Sequence, residues 1–207
     1  MQKYKYYLFD LDGVLVDTTE LQYLTTREAI LQITNFNIEI DENINKIFKS
    51  TITTIKKLEK INEMNIITKN QIQEIYDLKK KKADEYFLKL KIDIDKIKLF
   101  EYLKQKKCKI GVVTNGNSKS AKIILESLGL YYLIDVLITN DDVINGKPDA
   151  EPYLKAISLL NAKINECIIF EDSVVGLSSA KKTGCDIYHV LNVNNINIHL
   201  INDINYK

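Results

Sequence analysis

The chain has 207 residues, of which 45% are apolar, so it can bury about 70% of the surface its unfolded form exposes and has room for an enzyme core with an inserted piece. Its 29 basic and 28 acidic residues leave a net charge of +1, which provides no global field to draw nucleic acid or an anionic membrane, so an anionic partner has to be held locally. No apolar run approaches the roughly 20 residues of a membrane helix, and nothing at the amino terminus resembles a signal peptide.

The first predicted element is the apolar run Tyr6-Tyr7-Leu8-Phe9, short enough to read as a buried parallel strand. It delivers Asp10-Leu11-Asp12-Gly13, and backbone alternation points the two carboxylates the same way. Like charges held this close are costly unless a cation sits between them or one keeps its proton. The pair reads as a metal site, as an acid beside a nucleophile, or as a solvated turn. Gly13 lets the chain leave the strand in a conformation other residues resist.

After Asp17 the pattern turns helical. Thr18 or Thr19 is the expected cap of a helix through Ile33, and further helices are predicted around Glu42 to Phe48, Thr53 to Met64 and Thr68 to Leu90. Ile72, Ile75 and Tyr76, followed by Ala83, Tyr86, Phe87 and Leu90, mark the apolar face of the last one. No strand is expected before about Ile97, so residues 18–96 read as an all-helical insert.

From Leu99 onward helix and strand alternate, the mark of a parallel sheet covered on both faces. Strands are predicted over Lys109 to Thr114, Val136 to Thr139, Cys167 to Phe170 and Ile187 to Val190, with a weaker one over Ile198 to Ile201. Helices are predicted over Ser118 to Leu128, Ala150 to Leu160 and Ser173 to Thr183. Cys108, Cys167 and Cys185 stand beside strands, odd in number and without a Cys-x-x-Cys pair, and read as small buried thiols of a reducing, cytoplasmic compartment.

Ligands of such sheets bind outside the carboxyl ends of the strands. Those ends carry Asp10 and Asp12, then Thr114-Asn115-Gly116, then Gly146-Lys147-Pro148, then Glu171-Asp172-Ser173. Each has an ordinary reading as a strand terminus, a surface lysine or a helix cap. Their succession in order at four strand ends gathers carboxylates, a hydroxyl, an amide-rich turn and an ammonium into one place.

In these stretches the chain resembles the haloacid dehalogenase superfamily, in the branch with a small helical cap after the first motif. The resemblance runs from Phe9 to about Gly184 and rests on Phe9-Asp-Leu-Asp-Gly-Val-Leu-Val-Asp17, Val113-Thr-Asn-Gly116, Gly146-Lys-Pro-Asp149 and Phe170-Glu-Asp-Ser173. The second acid, Asp12, places the match with the phosphate-transferring members. The resemblance implies an α/β fold, a Rossmann-like parallel sheet with helices on both faces and its first strand central. The core would comprise residues 1–17 and 97–207, and an inserted all-helical cap residues 18–96.

It further implies a Mg2+-dependent reaction. Asp10 is the nucleophile that forms an aspartyl phosphate, and Asp12 is the general acid and base. Asp10, the main-chain carbonyl of Asp12, and Asp172 are metal ligands, with Glu171 supporting the metal through water. Thr114 and the backbone donors of Asn115 and Gly116 hold the phosphoryl oxygens, Lys147 offsets charge on phosphate and on Asp10, and the helix starting at or just before Ser118 favours the anion.

In this branch the cap closes over substrate and sets specificity. Beta-phosphoglucomutases carry a histidine after the first motif and an arginine in the next cap stretch, where this chain has Gln22 and Thr53. Lys82, one turn before Tyr86, resembles a basic cap position that contacts substrate, although the lysine run 79–82 also reads as a solvated face. Neither His189 nor His199 falls in a strand-end motif, which speaks against a Ser-His-Asp hydrolase or a histidine zinc site.

The expected function is therefore a phosphatase of a small phosphorylated metabolite, acting as a monomer or weak homodimer. A beta-phosphoglucomutase-like phosphotransferase is the alternative, and a metal-dependent binding module without catalysis is a further one.

Overall fold

A computed structural model of the chain describes residues 3–39, 41–49 and 53–205. Five strands, β1 (Tyr6–Phe9), β2 (Lys109–Val113), β3 (Val136–Ile138), β4 (Cys167–Glu171) and β5 (Asp186–His189), form one parallel sheet in the order β3-β2-β1-β4-β5. The first strand is central, and the sheet with its covering helices is the α/β, Rossmann-like fold expected. Apolar residues at every position of a strand are what burial on both faces requires. Leu8, Val113, Ile138 and Ile169 join a core with Tyr153, Ala156 and Ile157 of α7 (Glu151–Leu159) and Ala180 of α8 (Val174–Lys181). The neighbouring positions turn to the other face. There Phe9 and Phe170 stack with centroids 4.6 Å apart, and Phe9 meets Phe100 of α5 (Ile94–Gln105) at 5.2 Å.

The chain divides into two compact units, Met1–Asp17 with Leu90–Lys207, and Thr18–Lys89. The return to the sheet-bearing unit thus falls at Leu90, earlier than the 96/97 boundary read from the sequence. Asp93 explains the difference. Its main-chain N–H donates to Leu128 O at 3.2 Å and its side chain caps α5 by accepting from Lys96 N at 3.0 Å, so α5 belongs to the sheet from its first turn.

The helical unit contains α1 (Thr19–Thr34), α2 (Glu42–Lys49), α3 (Thr54–Glu63) and α4 (Gln71–Phe87). Ala29 and Ile30 of α1, Leu58 and Ile61 of α3, and Ile75 of α4 are buried together with Ile38, Ile44 and Ile67, the apolar stripe that amphipathic spacing forecasts. Thr53 caps α3 by accepting from Lys56 N at 3.4 Å. Thr18 holds the cap position of α1 but makes no side-chain cap bond. Its hydroxyl accepts instead from Gln22 Nε2 at 3.3 Å.

One predicted strand is corrected. Ile198 to Ile201 belongs to a helix, α9 (Ile198–Asn205), because the Asn197 carboxamide accepts from the main-chain N–H groups of His199 and Leu200 at 3.0 and 3.3 Å. A four-residue apolar run has no period of its own long enough to distinguish the two. Among the described residues no helix is long and apolar enough to cross a membrane.

Candidate active site

The first strand stops at Phe9, so Asp10 sits just beyond its carboxyl end, where its main-chain N–H still donates to Phe170 O at 3.0 Å. This anchors the carboxylate between β2 and β4, in the middle of the sheet. Asp12 lies further out, on an exposed turn closed by Gly13 N to Val16 O at 2.7 Å. Gly13 is required here twice over. Its φ is +86°, and a Cβ at this position would stand 2.2 Å from Asp172 Oδ2.

Lys147 is the centre of the arrangement. Its buried Nζ donates to Asp10 Oδ1 and Glu171 Oε1, both at 2.6 Å, to Val113 O at 2.8 Å and to the Tyr153 hydroxyl at 3.0 Å. The loop carrying it is clamped by Asn115, whose carboxamide accepts from Lys147 N at 2.9 Å and donates to Lys147 O at 3.0 Å. The side chain of Asn115 therefore positions the lysine, leaving only its backbone for the phosphate-holding role expected of it. Thr114 is tied to the sheet through its N–H to Ile138 O at 2.9 Å, and its Oγ1 accepts from Gly116 N at 3.0 Å.

Glu171 is wholly enclosed. One oxygen accepts from Lys147 and from the Tyr153 hydroxyl at 2.6 Å, and the other from Asp172 N at 3.2 Å. Gly176, in the first turn of α8, leaves room for this carboxylate, since a Cβ there would lie 2.0 Å from Glu171 Oε2. Asp172 is held more loosely, and its Oδ1 is buried without a hydrogen-bond partner.

Asp10, Glu171 and Asp172 each present an oxygen within 4.8 Å of the others. Burial pushes the Asp10 carboxyl up to about 8; Lys147 opposes this, and Glu171 and Asp12 add to it. Burial, then Glu171, likewise raise Asp172 to about 6. Burial pulls the Lys147 ammonium down, but Asp10 and Glu171 outweigh it and hold it above its ordinary value. Three clustered carboxylates facing one lysine carry an excess of negative charge, and the unpartnered Asp172 oxygen is an acceptor waiting for a donor or an ion. The donor set is all oxygen, so the residues present fit a hard divalent cation.

Two residues of this site escaped the sequence. Tyr153 is buried on the face of α7 that also carries Pro152, Ala156 and Ile157, and a hydroxyl within an apolar face is the signal the sequence holds. Gly176 was legible only as a glycine inside a helix. Tyr153→Phe keeps the ring but leaves Glu171 one donor short, so a stability loss of about 1.5–3 kcal/mol is expected for a hydrogen bond to a charged group. Urea melts of the two proteins check this, and equal midpoints would mean that the phenol is dispensable.

Gln22 and Lys82 belong to the helical unit. The Gln22 carboxamide bridges Thr18 and the buried Lys79, with Lys79 Nζ donating to Gln22 Oε1. Lys82 Nζ lies 3.4 Å from Glu28, a carboxylate that also accepts from the Tyr86 hydroxyl at 2.6 Å. The lysine run thus divides by face, with Lys79 turned inward and Lys82 paired across to α1.

The sequence model of the haloacid dehalogenase-like hydrolases matches residues 7–190, nearly the whole of the described sheet and the helical unit. The chain belongs to that family. Among haloacid dehalogenase-like hydrolases it is similar to a validoxylamine A 7'-phosphate phosphatase of Streptomyces hygroscopicus subsp. limoneus, 44% identical over 88 residues that span 42% of this chain and only 41% of that one. It is 28% identical to a phosphorylated carbohydrates phosphatase of Thermotoga maritima, over 95% of this chain and 86% of the relative. It is also 28% identical to a beta-phosphoglucomutase of Bacillus subtilis, over 86% and 79%. In fold it matches a haloacid dehalogenase hydrolase of family IA, variant 3, from Entamoeba histolytica, with a TM-score of 0.78, 23% identity and coverage of 98% and 100%. With this family and these phosphatases as relatives, the chain is an enzyme of the phosphoric monoester hydrolase class.

Proposed function

We propose that this hydrolase removes phosphate from a small phosphorylated metabolite, a sugar phosphate or similar monoester, with Mg2+ and through an aspartyl phosphate on Asp10. The observation that carries this reading is the buried Asp10 carboxylate, held 2.6 Å from the Lys147 ammonium at the end of the central strand and grouped with two further carboxylates. Asp10, the carbonyl of Asp12, and Asp172 would hold the magnesium, with Glu171 supporting it through water, and the ion when bound offsets charge on the phosphoryl oxygens.

The chain's own residues do the rest. A carboxylate oxygen of Asp10 attacks phosphorus while Asp12, exposed beside it, gives a proton to the leaving oxygen. Asp12 then takes a proton from the water that opens the acyl phosphate. Thr114 and the main-chain N–H groups of Asn115 and Gly116, the latter turned from Thr114 Oγ1, hold the phosphoryl group, and Lys147 offsets charge on Asp10 and on the phosphate. Gln22 and Lys82 are the substrate contacts we assign to the helical unit. The enzyme works in the cytoplasm as a monomer or weak homodimer.

A phosphotransferase reading has one observation in its favour, the Bacillus subtilis relative at the same 28% identity as the Thermotoga phosphatase. The chain's residues weigh against it. Thr53 spends its hydroxyl capping α3, and Gln22 is neutral, so neither supplies a cation for a second phosphate. A mutase must hold a bisphosphate by both ends and keep water from the acyl phosphate, whereas a phosphatase admits it. Given beta-glucose 1-phosphate with a trace of the bisphosphate, the enzyme is expected to release inorganic phosphate at least about tenfold faster than it forms glucose 6-phosphate, roughly 1.4 kcal/mol between the barriers. Faster glucose 6-phosphate formation would replace the hydrolase by the mutase, and no turnover of any phosphate ester would leave the binding module.

Metal uptake has its own signature. A carboxyl raised to about 8 is protonated in the fold at pH values where the unfolded chain has already lost the proton. The metal-free protein should therefore lose stability as pH rises from about 4 towards 8, the direction linkage gives for a raised acid. Thermal melts with and without Mg2+ across that window are expected to show the slope flattened by the ion. Asp172→Asn should raise the half-saturating Mg2+ concentration at least about tenfold, and an unchanged titration would move the ligand elsewhere.

A further inference from the structure

Outside the catalytic cluster the molecule carries a second group of reactive side chains. Cys167 opens β4, and Cys185 directly precedes β5. The two strands are adjacent, with Ile168 opposite Asp186, so one step back along each puts Cys167 opposite Cys185. Parallel neighbours in register carry their side chains on the same face, about 4.8 Å apart from strand to strand, within the Cα separations that disulfides span. Both thiols belong to the core cluster between the sheet and α7, where Cys167 Sγ donates to Lys163 O at 3.1 Å. Both are free thiols.

We propose that Cys167 and Cys185 are an oxidation site, a neighbouring thiol pair that hydrogen peroxide converts to an intramolecular disulfide joining β4 to β5. Cys185 is the entry point, because it retains 8% exposure while Cys167 has none. Hydrogen bonding at the pair and from Thr183 also holds its thiol below the ordinary value, with burial opposing. The Cys185 thiolate attacks one peroxide oxygen, the O–O bond breaks, and water leaves with the thiol proton, giving a sulfenic acid. The Cys167 sulfur then attacks Cys185 Sγ, and the S–O bond breaks with release of a second water. Two thiols are oxidised, one hydrogen peroxide is reduced, and no other reactant is needed.

Cys108 provides an internal control. It precedes Lys109 of β2, which pairs with Tyr6 on one side of β1, while Cys167 pairs with Tyr6 on the other. Two strand spacings, roughly 9.6 Å, separate Cys108 from Cys167, too far for a bond without backbone movement.

The experiment treats the reduced full-length chain, dilute and free of thiols, with a small excess of hydrogen peroxide. Thiols are then counted under denaturing conditions, with intact mass and peptide mapping. The expected result is a fall from three free thiols to one, the survivor being Cys108, with loss of two hydrogens, an unchanged monomer band and reversal by dithiothreitol. In Cys167→Ser the reaction should stop at Cys185 sulfenic acid, trapped by dimedone, and Cys108→Ser should oxidise as the parent does. Three surviving thiols, a bond to Cys108, a cross-link between copies, or over-oxidation of Cys185 with Cys167 still free would each overturn the proposal. None of these readouts depends on catalysis.

Discussion

Asp10→Asn is expected to abolish turnover, by a factor of at least about ten thousand, or about 5.5 kcal/mol in the barrier, while leaving the protein folded. The carboxamide is a poor nucleophile and a weaker ligand for a hard cation. Its oxygen can still accept the 2.6 Å bond from Lys147, so the packing around the lysine is retained. The substitution also removes a buried acid whose own carboxyl is pushed up by burial, with Glu171 and Asp12 adding to it. The variant should therefore melt no lower than the parent in the absence of metal. Steady-state release of phosphate from a generic aryl phosphate gives the first quantity and a thermal melt gives the second. Retention of more than about a tenth of the parent activity would remove Asp10 from the nucleophilic role, and lost activity with a lost melt would reduce the result to unfolding.

The parts of this molecule that were legible in its sequence are those where residue chemistry and strand ends coincide. Asp10, Thr114, Lys147 and Asp172 stand at breaks between apolar runs and turns, where a charged residue has no packing role to disguise it. The sheet was legible for the same reason, since uninterrupted runs such as Ile168-Ile169-Phe170 are buried on both faces and need no period to identify them. What stayed hidden depends on partners distant in sequence. Tyr153 becomes a site residue only when β4 brings Glu171 to it, and Asn115 becomes a clamp only because the loop at Lys147 returns to it. Lys79 was one of four successive lysines, and only the packing of α1 on α4 turns it inward to Gln22 while Lys82 meets Glu28. The start of the sheet-bearing unit at Leu90 was missed because the Asp93 hydrogen bond to Leu128 has no local signature.

Lys147→Met is expected to combine loss of activity with the largest loss of stability of any single change at this site. Among the described residues the ammonium is the one cation bonded to both Asp10 and Glu171, and all three groups are buried. Methionine keeps much of the length and apolar stem of the side chain, so packing changes little. Two enclosed carboxylates are left without a counter-charge, and removing one partner of a buried ion pair costs about 3–5 kcal/mol. Glu171 also keeps only the Tyr153 hydroxyl on the oxygen that lysine shared. The cause can be separated from a packing defect by adding Glu171→Gln to the same chain. A carboxamide oxygen still accepts from Tyr153, and one of the two uncompensated charges is gone, so the double variant should recover about half of the lost stability while remaining inactive. Urea melts of the parent, both single variants and the double variant close the cycle and give the coupling directly. If the double variant is no more stable than Lys147→Met, charge is not what the lysine balances, and its place at the centre of the acids would have to be explained by shape alone.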